Sequence, residues 1–171
     1  MDSIYPWFKD AWTAIHKNEK LPHALIFKGK EGIGKYDFAN TFAKSYLCQN
    51  ARSNHLPCEA CSSCKWFPDS HPDFKHIAPI ESEDDEPSKR KTVRKKNIAI
   101  HQIRELSEYL ELSAHQEKGR RIVLIEPADS LNQAASNALL KILEEPPENT
   151  LFILVTSQAQ KFWCPLFSGG R

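Results

Sequence analysis

The sequence has no surplus of charge of either sign: 23 Lys and Arg stand against 22 Asp and Glu, for a net charge of +1. A strongly basic nucleic-acid binder and an acidic-tail protein are therefore excluded as the simplest readings. No apolar run approaches the roughly 20 residues that a membrane-crossing helix needs. Met1 to Trp12 lacks the basic stretch and following apolar stretch of a secretory signal. The expectation is a cytoplasmic chain with no membrane partner. Disulfides are rare in that reducing compartment, so the five cysteines point to metal or to chemistry. No internal repeat is present. What the chain does have is 171 residues, 40% of them hydrophobic, enough for one domain with its own core.

Apolar spacing places the elements. Trp7, Phe8, Ala11, Trp12 and Ile15 recur at helical intervals over 6–17. His23 to Phe27 is a short apolar run that ends at Gly29, a buried strand followed by a glycine turn. Phe38, Ala39, Phe42, Ala43 and Tyr46 predict a helix over 35–47. A turn at His71-Pro72-Asp73-Phe74 leads to a short strand at 75–78. Segment 81–97 holds five acids followed by six bases and reads as a solvated, mobile loop. Ile100, Ile103, Leu106 and Leu110 mark a helix, and Arg121 to Ile125 a buried strand. A helix over 130–143 stops at Pro146-Pro147, and Leu151 to Val155 is another all-apolar strand. Strands that alternate with helices and have no polar face predict an α/β fold. Its parallel sheet would carry helices on both faces.

Gly29-Lys30-Glu31-Gly32-Ile33-Gly34-Lys35 fits the phosphate-loop pattern, between a strand and a helix as that pattern requires. Gly29, Gly32 and Gly34 would let backbone N–H groups turn toward phosphate oxygens, and Lys35 would reach the outer phosphates. A tight turn with no ligand is the plainer alternative. The next residue should carry a small hydroxyl for magnesium, and here it is Tyr36. The partner strand ends in Glu126, suited to hold magnesium through water. The position after it, where a second carboxylate would polarise water, is Pro127. Two parts needed for hydrolysis are thus absent. Bound ATP or ADP without efficient turnover, or no nucleotide at all, fits better than catalysis.

Cys48, Cys58, Cys61 and Cys64 are separated by nine, two and two residues. Four thiolates at such spacing can close a tetrahedral structural zinc site with no position left for water. The final Cys-x-x-Cys-x-x-Cys also matches part of an iron–sulfur run, although an opening gap of nine is not a known spacing there. Unligated core cysteines are disfavoured by the polar Glu59, Ser62 and Ser63 between them. His55, His71 and His76 are competing ligands. Lys44, Arg52 and Lys65 stand close enough in sequence to offset thiolate charge.

Together these motifs resemble a known family. Its signature here is Pro22-His23-Ala24-Leu25, the phosphate loop, the four cysteines, His71-Pro72-Asp73, Ile103-Arg104-Glu105-Leu106 and the run from Asn137 to Pro147. The chain is similar over residues 4 to 160 to the delta-prime and gamma/tau subunits of the bacterial DNA polymerase III clamp loader. The resemblance implies a P-loop NTPase-like (AAA+) core with an inserted zinc module. It implies a place in a five-subunit ring that loads the sliding clamp onto primed DNA, beside gamma/tau and delta subunits. Delta-prime-like members usually do not hydrolyse ATP. Tyr36 and Pro127 depart from gamma/tau in that direction, so no catalysis by this chain is expected. Its role would be that of a stator within a polymerase holoenzyme. A gamma/tau-like ATPase is the alternative.

Such subunits commonly carry a Ser-Arg-Cys arginine finger after the last strand, and a lid and collar beyond it. Here Phe162 to Arg171 stands in that place. Phe-Trp-Cys-Pro is encoded TTY TGG TGY CCN, and the frame that starts on the third base reads Leu, Val, then Pro or Ser. That is close to the family run. The expectation is a core at 1–161, with the zinc module at 48–64, and an aberrant, frameshifted tail at 162–171. A genuine short C-terminus or a fragment end is the alternative. Cys164 would have no metal role, and the product could be non-functional. A further rival uses the basic stretch Lys89 to Lys96 to bind nucleic acid, against a plain reading as a solvated loop.

Overall fold

The computed structural model of the chain describes residues 4–18, 20–80, 97–112 and 119–158. The charged segment at 81–96 and the tail from 162 therefore lie outside the described residues. A 3-10 turn at Pro6–Phe8 leads into α1 (Lys9–Lys17), β1 (Ala24–Lys28) and α2 (Lys35–Leu47). A short α3 (Ser62–Trp66) and β2 (Phe74–Ile77) follow, then α4 (Ile100–Glu111), β3 (Arg121–Ile125), α5 (Gln133–Glu144) and β4 (Thr150–Thr156).

The described strands form one parallel sheet in the order β1-β4-β3-β2. Its registers set Leu25 beside Ile153 and Val123 beside Phe152. Side chains alternate along each strand, and both faces of this sheet are covered. Val123 and Ile125 of β3 and Phe152 and Leu154 of β4 pack with Ile103, Leu106 and Leu139 of α4 and α5. Ile122, Leu124, Leu151 and Ile153 pack on the other face with Trp12, Phe38 and Phe42 of α1 and α2. This is why β3 and β4 are buried from end to end, including Arg121 and Thr150 at their first positions. Each large side chain so buried contributes roughly 1.5–3 kcal/mol of transfer free energy.

The strand and helix predictions hold, with two differences. The helix expected from Ser130 begins at Gln133, after a 3-10 turn at Ala128–Ser130. Asn132 caps it, its side chain accepting the Ala135 amide at 2.8 Å, and such a cap sets a helix start more firmly than apolar spacing. Leu131 falls outside the helix and bridges Ile98 instead. α3 was not expected. It is one turn, started by Cys61, whose sulfur accepts the Cys64 amide.

Candidate functional site

The glycine turn joins the C-terminal end of β1 to α2. Gly32 and Gly34 take left-handed φ angles of 77° and 85°, which a side chain resists. Gly34 is also close-packed: a Cβ there would lie 2.5 Å from the Tyr5 ring. α2 has no side-chain cap, so its first-turn amides keep the character of an anion cradle. Lys35 is buried in the turn, and its Nζ donates to the carbonyls of Gly29 (2.8 Å) and Lys30 (2.6 Å).

A cavity of about 430 Å³ opens beside the turn, lined by Gly32, Gly34, Lys35, Tyr36, Glu126 and Pro127 among others. The structure thus brings together Gly32, Gly34, Lys35 and Glu126. Gly29 sits at the back of the turn, where a Cβ would meet the Ile33 Cδ1 at 2.6 Å. Burial pushes the Glu126 carboxyl up, and the charge of Lys35 opposes that rise. The Tyr36 ring lies 5.3 Å from that of His76 on β2, so the residue after Lys35 is a phenol set against the sheet.

Sequence reasoning missed two features of this end. Asp129 accepts from the Thr156 hydroxyl, from the Ser157 amide (2.9 Å) and from the Ser157 hydroxyl (3.0 Å), so it holds the end of β4 against the cavity. Burial would raise its carboxyl, but the bonds from Thr156, Ser157 and Gln158 outweigh that and hold it below the usual range. Tyr5 and Trp7 stack 4.9 Å apart at 4° and clasp the turn. Tyr5 donates to Asp37 (3.2 Å), and the Trp7 indole donates to the Ile33 carbonyl (3.1 Å). Only the aromatic content before the first strand hinted at this.

At the other end of α2, all four cysteines converge. Their sulfurs lie within 4.8 Å of one another, with Cys48–Cys61 and Cys58–Cys64 at 3.9 Å and Cys48–Cys64 at 3.6 Å. Metal–sulfur bonds of about 2.3 Å in a tetrahedron put sulfurs about 3.8 Å apart. The spacing therefore fits one ion, and a cluster of several irons would hold its thiolates wider. Backbone amides of Cys58, Cys61 and Cys64 point at sulfur, at 3.4–3.5 Å. Amide bonds from Ala60 and Cys61 lower the Cys58 thiol to about 6, already favouring the thiolate at neutral pH. Burial pushes the Cys48 and Cys64 thiols up, and a bound cation would reverse that.

Among the described residues, the group of converging ligand atoms holds the four cysteines and none of these histidines. His55 stacks on His16 at 4.5 Å, His76 faces Tyr36, and His71 Nε2 bonds the Ser63 hydroxyl at 2.8 Å. Lys44 pairs with Glu59 inside the module.

Comparison with known proteins follows this geometry. Residues 6–164 match the family described as DNA polymerase III, delta subunit. A DNA polymerase III subunit delta′ of Pseudomonas aeruginosa is 34% identical over 162 residues, covering 94% of this chain and 45% of the relative. A DNA polymerase III subunit tau of Bacillus subtilis is 30% identical over 143 residues, covering 84% of this chain and 23% of the relative. The chain spans about half the length or less of the curated relatives it matches. A DNA polymerase III gamma subunit-related protein of Thermotoga maritima superposes with a TM-score of 0.51 at 22% identity, over 93% of this chain and 42% of that one. That likeness concerns the fold alone.

Proposed function

The chain belongs to the family described as DNA polymerase III, delta subunit, and on that premise we propose that it serves DNA replication as a delta-prime-like clamp-loader stator. Its partners are the gamma/tau and delta subunits. Through them it acts on the sliding clamp and primed DNA, in the cytoplasm. The observation that carries the non-hydrolysing part is the pair Tyr36 and Pro127 on the cavity wall. A phenol and a pyrrolidine ring stand where magnesium and water would need a small hydroxyl and a carboxylate.

The core of the reading is residues 1–161 as an AAA+ nucleotide-binding core. Gly29, Gly32, Gly34 and Lys35 would hold the phosphates of ATP or ADP, with Glu126 beside them. To engage a phosphate, Lys35 gives up its two turn carbonyls. Cys48, Cys58, Cys61 and Cys64 would hold zinc. When bound, zinc supplies a closed crosslink between the end of α2 and α3, with no open coordination position.

The test is reconstitution. The chain is mixed with gamma/tau and delta subunits, and complex formation and ATP turnover are both followed. The reading expects co-elution with these partners and no phosphate release by the chain alone. Turnover by the chain alone, abolished in Lys35→Ala, would establish the gamma/tau-like ATPase instead.

A further inference from the structure

We infer that Ser63 and His71 are positioning residues for the four-thiol site, and that they make metal occupancy and the start of β2 one cooperative unit. The inference rests on the metal reading above. Three buried groups carry it: Ser63, His71 and Asp73 are 1%, 4% and 1% exposed.

Their hydrogen bonds have one consistent direction. The Asp73 amide can only donate, and it donates to His71 Nδ1 at 3.1 Å. This leaves the proton of a neutral imidazole on Nε2. Nε2 then donates to the Ser63 hydroxyl (2.8 Å), whose own proton goes to the Leu47 carbonyl (2.8 Å). Burial keeps His71 in that neutral form, against the opposing charge of Asp73.

Each end of this chain of bonds is placed where it matters. Leu47 is the last residue of α2, and Cys48 follows it. Ser63 lies in α3 between Cys61 and Cys64. The bond from Ser63 to Leu47 therefore ties the two backbone segments that bring Cys48 and the Cys61–Cys64 pair together. At the other end, the Asp73 carbonyl accepts the Ile122 amide at 2.9 Å, at the start of the β2–β3 ladder. Asp73 also faces buried Arg121 at 4.0 Å. Arg121 donates to the Tyr109 (3.3 Å), Leu110 (3.0 Å) and Leu112 carbonyls at the end of α4. The Tyr109 hydroxyl donates to the Pro72 carbonyl at 2.7 Å. One polar path thus runs from the backbone beside Cys48 and Cys64 to the sheet and on to α4. Groups that orient metal ligands in this way are worth about 10–100-fold in metal affinity.

His71→Asn separates the two bonds of the imidazole. Asn Oδ1 can still accept the amide two residues on, as in an Asx turn, but it is too short to reach Ser63. Zinc retention by the chain is measured by competition with a chelator in the parent, His71→Asn, Ser63→Ala and the double variant. Amide exchange at Phe74 and Ile122 is followed with and without zinc. The expected result is a loss of zinc affinity of about 10–100-fold in each single variant. The double variant should be no weaker than either. Zinc removal should speed exchange at Ile122 in the parent and not in His71→Asn. Parent-like zinc retention in both single variants overturns the inference and leaves the metal reading standing. So does exchange at Ile122 in the parent that ignores zinc. A parent chain that binds no zinc overturns both.

Discussion

The two ends of α2 carry two candidate ligand sites in different states of completeness. The helix is 13 residues long, so the sites stand roughly 20 Å apart. At its start, the glycine turn keeps its backbone shape and its lysine. Tyr36 follows that lysine, and Pro127 follows Glu126 across the cavity. At its end, every ligand atom is present and spaced for one ion. The difference teaches what each site is needed for. The glycine turn also aims α2 at the sheet, a structural role that needs no ligand. Four thiols within 4.8 Å of one another, with three backbone amides aimed at sulfur, form an arrangement suited to a cation.

Removing one thiol should have the largest effect. Cys61→Ser is expected to abolish bound zinc and to lower the melting temperature by on the order of 10 °C, because metal binding free energy is folding free energy. Metal analysis and a thermal melt on the same sample check this. Unchanged stability on loss of zinc would erase the contrast between the two ends.

Next comes Gly34→Ala. The new side chain faces a left-handed backbone and the Tyr5 ring. It should cost about 1–2 kcal/mol by urea unfolding, because the turn is structural whether or not a nucleotide binds. No loss would mean that Tyr5 and the turn rearrange freely.

Tyr36→Thr sharpens the comparison from the chemical side. A small hydroxyl at the head of α2 should strengthen magnesium-dependent ADP binding about tenfold, ~1.4 kcal/mol, read by calorimetry. ATP turnover should remain absent because Pro127 is unchanged. Turnover in this variant would place the defect in Tyr36 alone.

The smallest effect is on pH dependence, and it has opposite signs for the buried histidines and for Glu126. Burial holds His71 and His76 below their ordinary value, so the fold favours their neutral forms. Their contribution is complete above about pH 6.5 and is lost as pH falls from there toward their folded values. Glu126 is raised by burial, so the fold favours its neutral acid. That term is unfavourable at neutral pH and relaxes as pH falls through its folded value. Glu126→Gln should therefore raise the urea midpoint slightly at pH 7.5. His76→Gln should flatten the decline between pH 7.5 and 5.5.

Much of this was legible because it was written in local pattern. β3 and β4 read as all-apolar runs because both of their faces are covered. The convergence of the four cysteines was legible because it follows from thiol spacing along the chain. The start of α5 was misplaced because apolar spacing continues through Leu131, while the Asn132 side chain decides where the helix begins. Asp129 was missed because its partners, Thr156 and Ser157, lie on a strand far along the chain. His71 was read as a competing ligand, since a histidine near cysteines looks the same whether it binds metal or holds a serine. Such long-range polar contacts leave no periodic trace.

The most direct test of the contrast is a native mass spectrum of the purified chain incubated with magnesium and ATP. The account predicts the chain mass plus one zinc, with no ADP generated over the incubation. A metal-free chain that converts ATP to ADP would contradict it at both ends of α2.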